Sequence, residues 1–366
     1  MKRSALVLLL LGACSGGRYK APPAVPSIPL PSGAQLKPWD PEHPGLARPM
    51  GIAQVSGKAY VALGNYDSGY TPRGPGLLAV FVPSNGQVSL IDLGGTAGKE
   101  CISPGWVRVG GDRLYVTCSG DFNTGKGTAI VEVDPSGQGS ATRRYATSTS
   151  PAGVAATSTR IWFGDAFTGA VYALDRGTLT RAGGAVQITC PSEGTYQTVN
   201  DLAIVGGDLY ALCSNSVGGV LNRLDATTGA SKGTADVGPI AAAMAETGDG
   251  RIAIVSGADN KLRLVSISGN QLTVTTAYTY GGQTSTLQDV RALDQYVFTV
   301  ASGTNTVQKN DVSTKAGATL VDEQSVGSCD SSGVCPTPWN VLPLDDDQAL
   351  VTNQGSNTIV AVKWAH

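Results

Sequence analysis

The chain has 366 residues, of which 15% are charged, and a net charge of -2. That balance offers no footing for nucleic acid or an anionic membrane surface. With 41% hydrophobic residues and 48 glycines, it carries apolar surface for an ordered core and the residues for many tight turns.

In chain order, the first residues read as an export signal. Lys2-Arg3 is a positive n-region, and Ala5 to Leu11 is an apolar stretch far too short to span a bilayer. Leu11-Gly12-Ala13-Cys14 then resembles a bacterial lipobox. That resemblance implies a signal peptide over residues 1–13, cleavage before Cys14 and lipid on its thiol. Ser15, rather than Asp, after the cysteine implies the outer membrane, with the periplasmic or cell-surface side left open. Several acyl chains suffice for anchoring, since each buried methylene contributes about 0.8 kcal/mol. An ordinary secretory signal with a chance cysteine is the alternative.

Residues 14–48 read as a Pro-rich tether. Pro22, Pro23, Pro26, Pro29, Pro31, Pro38, Pro41 and Pro44 fix φ and remove donors, which favours extended polyproline geometry over helix.

From residue 49 onward the chain repeats itself. Leu114-Tyr115-Val116-Thr117-Cys118-Ser119-Gly120, a Gly-rich break and Ala129-Ile130-Val131-Glu132-Val133-Asp134-Pro135 read as two antiparallel strands. Copies lie at 252–262, 297–307 and 349–362, with diverged ones at 59–63, 161–165 and 209–213. The matching anchors are Tyr60, Tyr115, Trp162, Tyr210, Ile252, Phe298 and Leu350. Their spacing, about 42 to about 55 residues, is that of propeller blades. Period-2 runs and Gly/Asn/Asp turns exclude a helical solenoid. The units are expected to open at Pro49, Trp106, Pro151, Asp201, near Ala241, near Val290 and at Trp339. Residues 49–366 should therefore close into one body rather than several domains. The last unit has about three strands before His366, which would leave an open edge. A segment between Gly33 and Ala47, with Gln35-Leu36-Lys37 the best candidate, is expected to supply the missing outer strand.

Pro49-Met50-Gly51-Ile52-Ala53, followed by a turn and an aromatic strand, resembles the opening of YVTN- and NHL-type repeats. Tyr115-Val116-Thr117 and Val351-Thr352-Asn353-Gln354-Gly355-Ser356-Asn357-Thr358 resemble the YVTN core. The resemblance implies an all-β, seven-bladed β-propeller of four-stranded antiparallel blades; it carries no function by itself.

With Cys14 assigned to lipid, six cysteines remain. Cys101 and Cys190 precede units two and four, while Cys118 and Cys213 end the second strands of those units. In a propeller the blade-joining loop and the loop after the second strand share a face. The expected pairs are Cys101–Cys118 and Cys190–Cys213, leaving Cys329–Cys335 within the loop before the last unit. A zinc site is the rival, but Cys-x-x-Cys and a nearby His are both missing.

The only histidines are His43, in the Pro-rich segment, and His366. This weighs against propeller enzymes that use histidine, such as streptogramin-lyase-like proteins. There is no Gly-Lys-Ser/Thr phosphate loop and no Gly-x-Ser-x-Gly elbow. Asp345-Asp346-Asp347 reads as a solvated turn rather than a calcium site, and Asp121, Asn123 and Thr124 as a plain loop. Leu224 to Gly229 resembles the quinoprotein-like repeat of outer-membrane assembly lipoproteins, without the tryptophans expected after it. No catalytic residue, metal or cofactor is expected.

What remains is a surface. The disulfide-bearing face should collect Tyr66, Tyr70, Arg73, Trp106, Phe122, Phe167, Tyr196 and Trp339, side-chain types that anchor interfaces. The long loop from Gly64 to Gly76 adds to that face. Trp106 and Trp339 have a second reading, as plugs of the central pore. The expected function is a protein-binding scaffold module of a cell-envelope complex, its partners being envelope proteins and, through Cys14, the bilayer. The competing class is a metal-dependent hydrolase, lactonase-like or lyase-like, with Asn200, Asp201, Asp289 and Asn340 at the pore mouth.

Overall fold

Seven short strands surround one axis: Pro49–Val55, Pro104–Gly110, Pro151–Ala156, Thr198–Val205, Ala241–Glu246, Leu287–Leu293 and Pro338–Pro343. Each packs against the next, and the last returns to the first, so the ring is closed. The structure is a computed structural model. It describes residues 20–364, apart from 22, 39–44, 68–70, 73, 96–98, 137–138, 195, 282–285 and 316. Each inner strand starts an antiparallel sheet, here blades 1 to 7 in chain order of those strands. Six sheets have four strands; in blade 3 the outer strand is split into Thr180–Arg181 and Val186–Gln187, both paired with Ala170–Asp175. The chain is an all-β, seven-bladed propeller.

The second strand of each blade shows why. Successive side chains point to opposite faces, and here both faces are covered by a neighbouring blade. Leu114 and Val116 pack toward blade 1, whereas Tyr115 packs toward blade 3. Ile161 and Phe163 face blade 2, and Trp162 faces blade 4. Seven apolar clusters fill the seven gaps between blades. The anchors from Tyr60 to Leu350 are all buried in them. The sequence expectation for the repeats holds at this level.

The pairing of first and second strands is interrupted near the start of the first strand in every blade. These bulges re-aim the extra residues out of the ladder. Two positions require glycine there: a Cβ on Gly51 would lie 2.3 Å from the Gly105 carbonyl oxygen, and one on Gly153 would lie 2.7 Å from the Asp201 Cα.

The strand that completes blade 7 is Ser27–Pro29, with Ile28 opposite Ile359. This corrects the choice of Gln35-Leu36-Lys37. Gln35 and Leu36 lie in a short 3-10 helix, Gly33–Leu36, which buries Leu36 between blades 7 and 1. A three-residue strand that follows Pro26 and ends on Pro29 suits an outer edge, where only one side of the strand needs ladder bonds. The described part of the Pro-rich stretch is fastened to the ring. Asp345 Oδ2 accepts the Ala21 N–H at 2.7 Å, Gln348 Oε1 the Ala24 N–H at 3.1 Å, and the Pro26 carbonyl the Ala361 N–H at 2.9 Å. Asp345 and Asp346 are consequently buried, at 3% and 8% exposure, not solvated as expected from their turn. Cys14 lies outside the described residues, as do His43 and His366. Among the described residues, no helix is long and apolar enough to cross a membrane.

Candidate functional site

The loops after the second strands and the blade-joining loops share one face of the disc, and the three disulfides lie there. Cys101–Cys118, Cys190–Cys213 and Cys329–Cys335 all form. The hairpin turns between first and second strands are on the other face.

Two features occupy the disulfide-bearing face. The first is a cavity of about 300 Å³ at the mouth of the central channel. It is lined chiefly by the bulged residues, among them Gly51, Trp106, Asn200, Gln288 and Trp339. Trp106 reaches across the axis from blade 2 to pack on the core between blades 5 and 6.

Beneath the mouth lies a charge quartet. The Arg108 guanidinium stacks on Trp106 at 4.5 Å and donates to Asp201 Oδ1 at 3.0 Å. Asp201 Oδ2 also accepts the Met244 N–H of blade 5 at 3.0 Å. Asp289 Oδ2 accepts the Val341 N–H of blade 7 at 3.1 Å and faces Arg291 Nε at 3.3 Å. Burial pushes the Asp289 carboxyl up to about 6, against the opposing pull of Arg291 and Arg108. Burial, helped by Arg108, also pulls the Arg291 guanidinium down. Asn200 donates to Ser214 Oγ at 2.6 Å and to the Ala241 carbonyl at 2.7 Å, and Asn340 donates to the Trp339 carbonyl at 2.9 Å. Of the four residues considered as a catalytic or metal set, Asn200, Asp201 and Asp289 are thus staples between blades, whereas Asn340 bonds within blade 7 and its Oδ1 is buried without a hydrogen-bond partner. Two of their partners, Arg108 and Arg291, escaped the sequence reading; for Arg108 the signal was a charge in the middle of an otherwise apolar innermost strand, whereas Arg291 shares its strand with Asp289 and Gln288.

The second feature is a groove of about 770 Å³ across blades 2, 3 and 4. Phe122, Phe167 and Tyr196 form a strip along it, exposed at 63%, 45% and 60%. Phe122 meets Phe167 edge to face at 6.3 Å between centroids, and Phe167 meets Tyr196 at 5.8 Å. Side-chain-to-backbone turns set the loops. Asp121 accepts the Asn123 N–H at 2.9 Å and the Thr124 hydroxyl at 2.8 Å. Asp165 accepts the Phe167 N–H at 2.8 Å and the Thr168 hydroxyl at 2.7 Å. The Thr124 hydroxyl and the Asn123 N–H hold the Asp121 carboxyl below its ordinary range. Cys101–Cys118 ties down the strand that leads to Phe122, and Cys190–Cys213 the loop that carries Tyr196. Thr149 Oγ1 in the groove wall is buried without a hydrogen-bond partner. Asp165 and Thr149 were not picked out from sequence.

The eight residues expected on this face therefore separate. Phe122, Phe167 and Tyr196 come together. Trp106 and Trp339 line the channel mouth. Tyr66 is buried, because its backbone bridges Leu46 and Pro72 and its ring covers Gly64; it fastens the N-terminal segment instead of meeting a partner. Tyr70 and Arg73 lie outside the described residues. Among the described residues, no group of three or more His, Cys, Asp or Glu side chains is arranged to hold a metal ion.

No family model and no curated relative matches the chain. Solved structures do. It is similar to virginiamycin B lyase from Staphylococcus aureus, at 12% identity over 87% of this chain and 96% of that one, with TM-score 0.63. It is similar to BamB from Moraxella catarrhalis, at 15% identity over 87% and 85%, with TM-score 0.53. A chain of the mitotic checkpoint complex matches at 13% identity over 96% and 100%, with TM-score 0.62. At such identities the likeness is one of fold, and this fold serves an enzyme and an assembly alike. A virginiamycin B lyase with one histidine replaced by alanine is catalytically inactive. The two histidines of the present chain, His43 and His366, lie outside the described residues.

Proposed function

We propose that this chain is an envelope-anchored propeller lipoprotein that binds a protein partner through the groove of Phe122, Phe167 and Tyr196. The observation that carries the reading is the strip itself. Three large rings stand in solvent, yet their loops are fixed by disulfides and aspartate turns, so little ordering entropy is lost on binding. Core packing does not account for them. The lipobox-like Leu11-Gly12-Ala13-Cys14 supports the anchor, on the outer membrane.

The two ends of this arrangement are compatible. The N-terminal segment meets the ring at Lys20, 3.6 Å from Asp347, on the face of the first hairpin turns. The groove opens on the opposite face. From Cys14 to Lys20 the chain can span at most about 20 Å. A lipid at Cys14 would hold the hairpin-turn face toward the bilayer and leave the groove facing away from it. A carboxylate-based hydrolase finds no comparable support, because Asp201 and Asp289 are committed to neighbouring blades and arginines.

The test is a photo-cross-linking residue placed at Phe167 in the native host, followed by mass spectrometry. The expected result is one envelope protein that also co-purifies with the wild type and is lost from the triple variant Phe122→Ala, Phe167→Ala, Tyr196→Ala. Equal co-purification by wild type and triple variant overturns the reading.

A further inference from the structure

We infer that the groove takes a basic stretch of its protein partner, an extended segment whose arginine or lysine lies on the aromatic strip with Asp121 and Asp165 behind it. The inference rests on the groove being a protein-binding site, and it names the chemistry of what binds.

Asp165 is the first reason. It is 2% exposed, and a buried carboxylate is ordinarily matched by a cation. The chain follows that rule elsewhere. Glu132 pairs with Arg143, Asp201 with Arg108, Asp208 with Arg223 and Lys232, and Asp289 with Arg291. Asp345 departs from it, but the N–H groups of Ala21, Asp347 and Gln348 and the Gln348 amide surround its carboxylate. Asp165 has one backbone N–H, one hydroxyl and no ion pair among the described residues. Among the described residues its buried charge thus meets no cation and few donors.

The lining is the second reason. Two carboxylates and a row of hydroxyls face the groove, and among the described residues no Lys, Arg or His does. The third is the rings. Elsewhere the protein seats its own cations on aromatic faces: Arg108 on Trp106, Arg181 on Tyr172 at 4.1 Å and Lys309 on Tyr296 at 4.1 Å. Phe122, Phe167 and Tyr196 are the exposed rings beside unpaired negative charge, which is the setting a cation seeks. A carbohydrate would need carboxylate oxygens free to accept its hydroxyls. Asp165 is too buried to offer them, and Asp121 already spends its oxygens on Asn123 and Thr124.

The test uses the full disulfide-bonded chain in detergent and fluorescein-labelled hexapeptides of arginine, lysine, glutamine and glutamate, read by fluorescence polarisation at 50 mM and 300 mM salt. The arginine and lysine peptides should bind, and the glutamine and glutamate peptides should not. Phe122→Leu, which keeps apolar area but removes the π face, should weaken arginine binding about two- to fivefold. Asp165→Asn, which keeps an acceptor for the Phe167 N–H, should weaken it at least about tenfold. Should Asp165→Asn disturb the loop, Asp121→Asn provides the second charge variant, with a smaller loss in the same direction. Equal binding of arginine and glutamate peptides, or arginine binding unmoved by Phe122→Leu and both Asn variants, overturns the inference. So does binding of an N-acetylglucosamine disaccharide without arginine binding. If cross-linking at Phe167 still captures the envelope partner in that event, the groove remains a protein site and only its basic preference falls.

Discussion

The Arg108 guanidinium of blade 2 donates to the Asp201 carboxylate of blade 4 at 3.0 Å, past the whole of blade 3. Asp201 also receives a backbone N–H from blade 5, so one side chain links three blades. Removing it leaves a largely buried arginine and an unpaired Met244 N–H. Asp201→Ala should therefore cost about 3–5 kcal/mol, the range for breaking a buried pair from one side. The double variant Arg108→Met, Asp201→Asn should recover much of that loss, since the stranded cation is gone. Urea denaturation of the three proteins checks this; an unchanged midpoint for Asp201→Ala would mean that the pair carries no stability.

Asp289 sets a pH dependence of the opposite sign to the usual carboxylate. Its folded value is raised to about 6 from 3.8, so between those values the folded state holds more protons than the unfolded one. The stability it contributes is complete below about pH 4 and is lost as pH rises through about 6. At Glu132 and Asp208 burial pushes up but is outweighed, by Arg143 and Thr142 in one case and by Lys232 and Arg223 in the other. Those two carboxyls are held low and lose stability as pH falls, in a separate window at more acid pH. Asp289→Asn should flatten the fall in thermal midpoint between pH 4 and pH 6. A profile in that range identical to wild type contradicts the assignment.

The N-terminal strand makes the ring depend on its first described residues. Ile28 is 1% exposed in the core that joins blades 7 and 1. Ile28→Ala should cost about 2–4 kcal/mol by lost burial and cavity formation. Deletion through Pro31 should do more, because it bares the unpaired edge of Thr358–Lys363 to other chains. Size-exclusion chromatography should then show aggregates, and a monodisperse truncated protein would show that the seam closes without the strand.

What could be read in advance follows from which forces are local. The blades were legible because a strand covered on both faces writes its burial as a run such as Leu114 to Cys118, repeated at blade spacing. The cysteine pairs were legible because strand ends and blade-joining loops have fixed faces. The closing strand was not, since Ser27-Ile28-Pro29 directly after Pro26 is too short to show a period, and Leu36 looked as apolar as Ile28. The aromatic strip was named residue by residue, but its assembly was hidden: Phe122, Phe167 and Tyr196 sit on three separate loops. Tyr66 and Trp106 carried the same aromatic signal, yet Tyr66 is buried beside the N-terminal segment and Trp106 lines the channel mouth. Arg108 and Asp201 are 93 positions apart, and nothing local marks them as partners.

The disulfides should divide by what they hold. Cys101–Cys118 and Cys190–Cys213 close loops of 17 and 23 residues, and Cys329–Cys335 closes one of 6. The chain-entropy account gives about 3 kcal/mol for each of the longer loops and about 2 for the short one. Cys101, Cys118 and Cys213 are also fully buried, so serine in their place adds the cost of a buried hydroxyl. Cys190→Ser, Cys213→Ser should therefore destabilise more than Cys329→Ser, Cys335→Ser. It should also free the loop that carries Tyr196, and with it weaken capture of the envelope partner at the groove. The Cys329–Cys335 variant should leave that capture intact, because its loop serves blade 7, away from blades 2 to 4. Denaturation midpoints and cross-linking yield at Phe167, measured on the same preparations, separate the two effects. Equal cross-linking by both double variants would show that the groove does not rely on a braced loop.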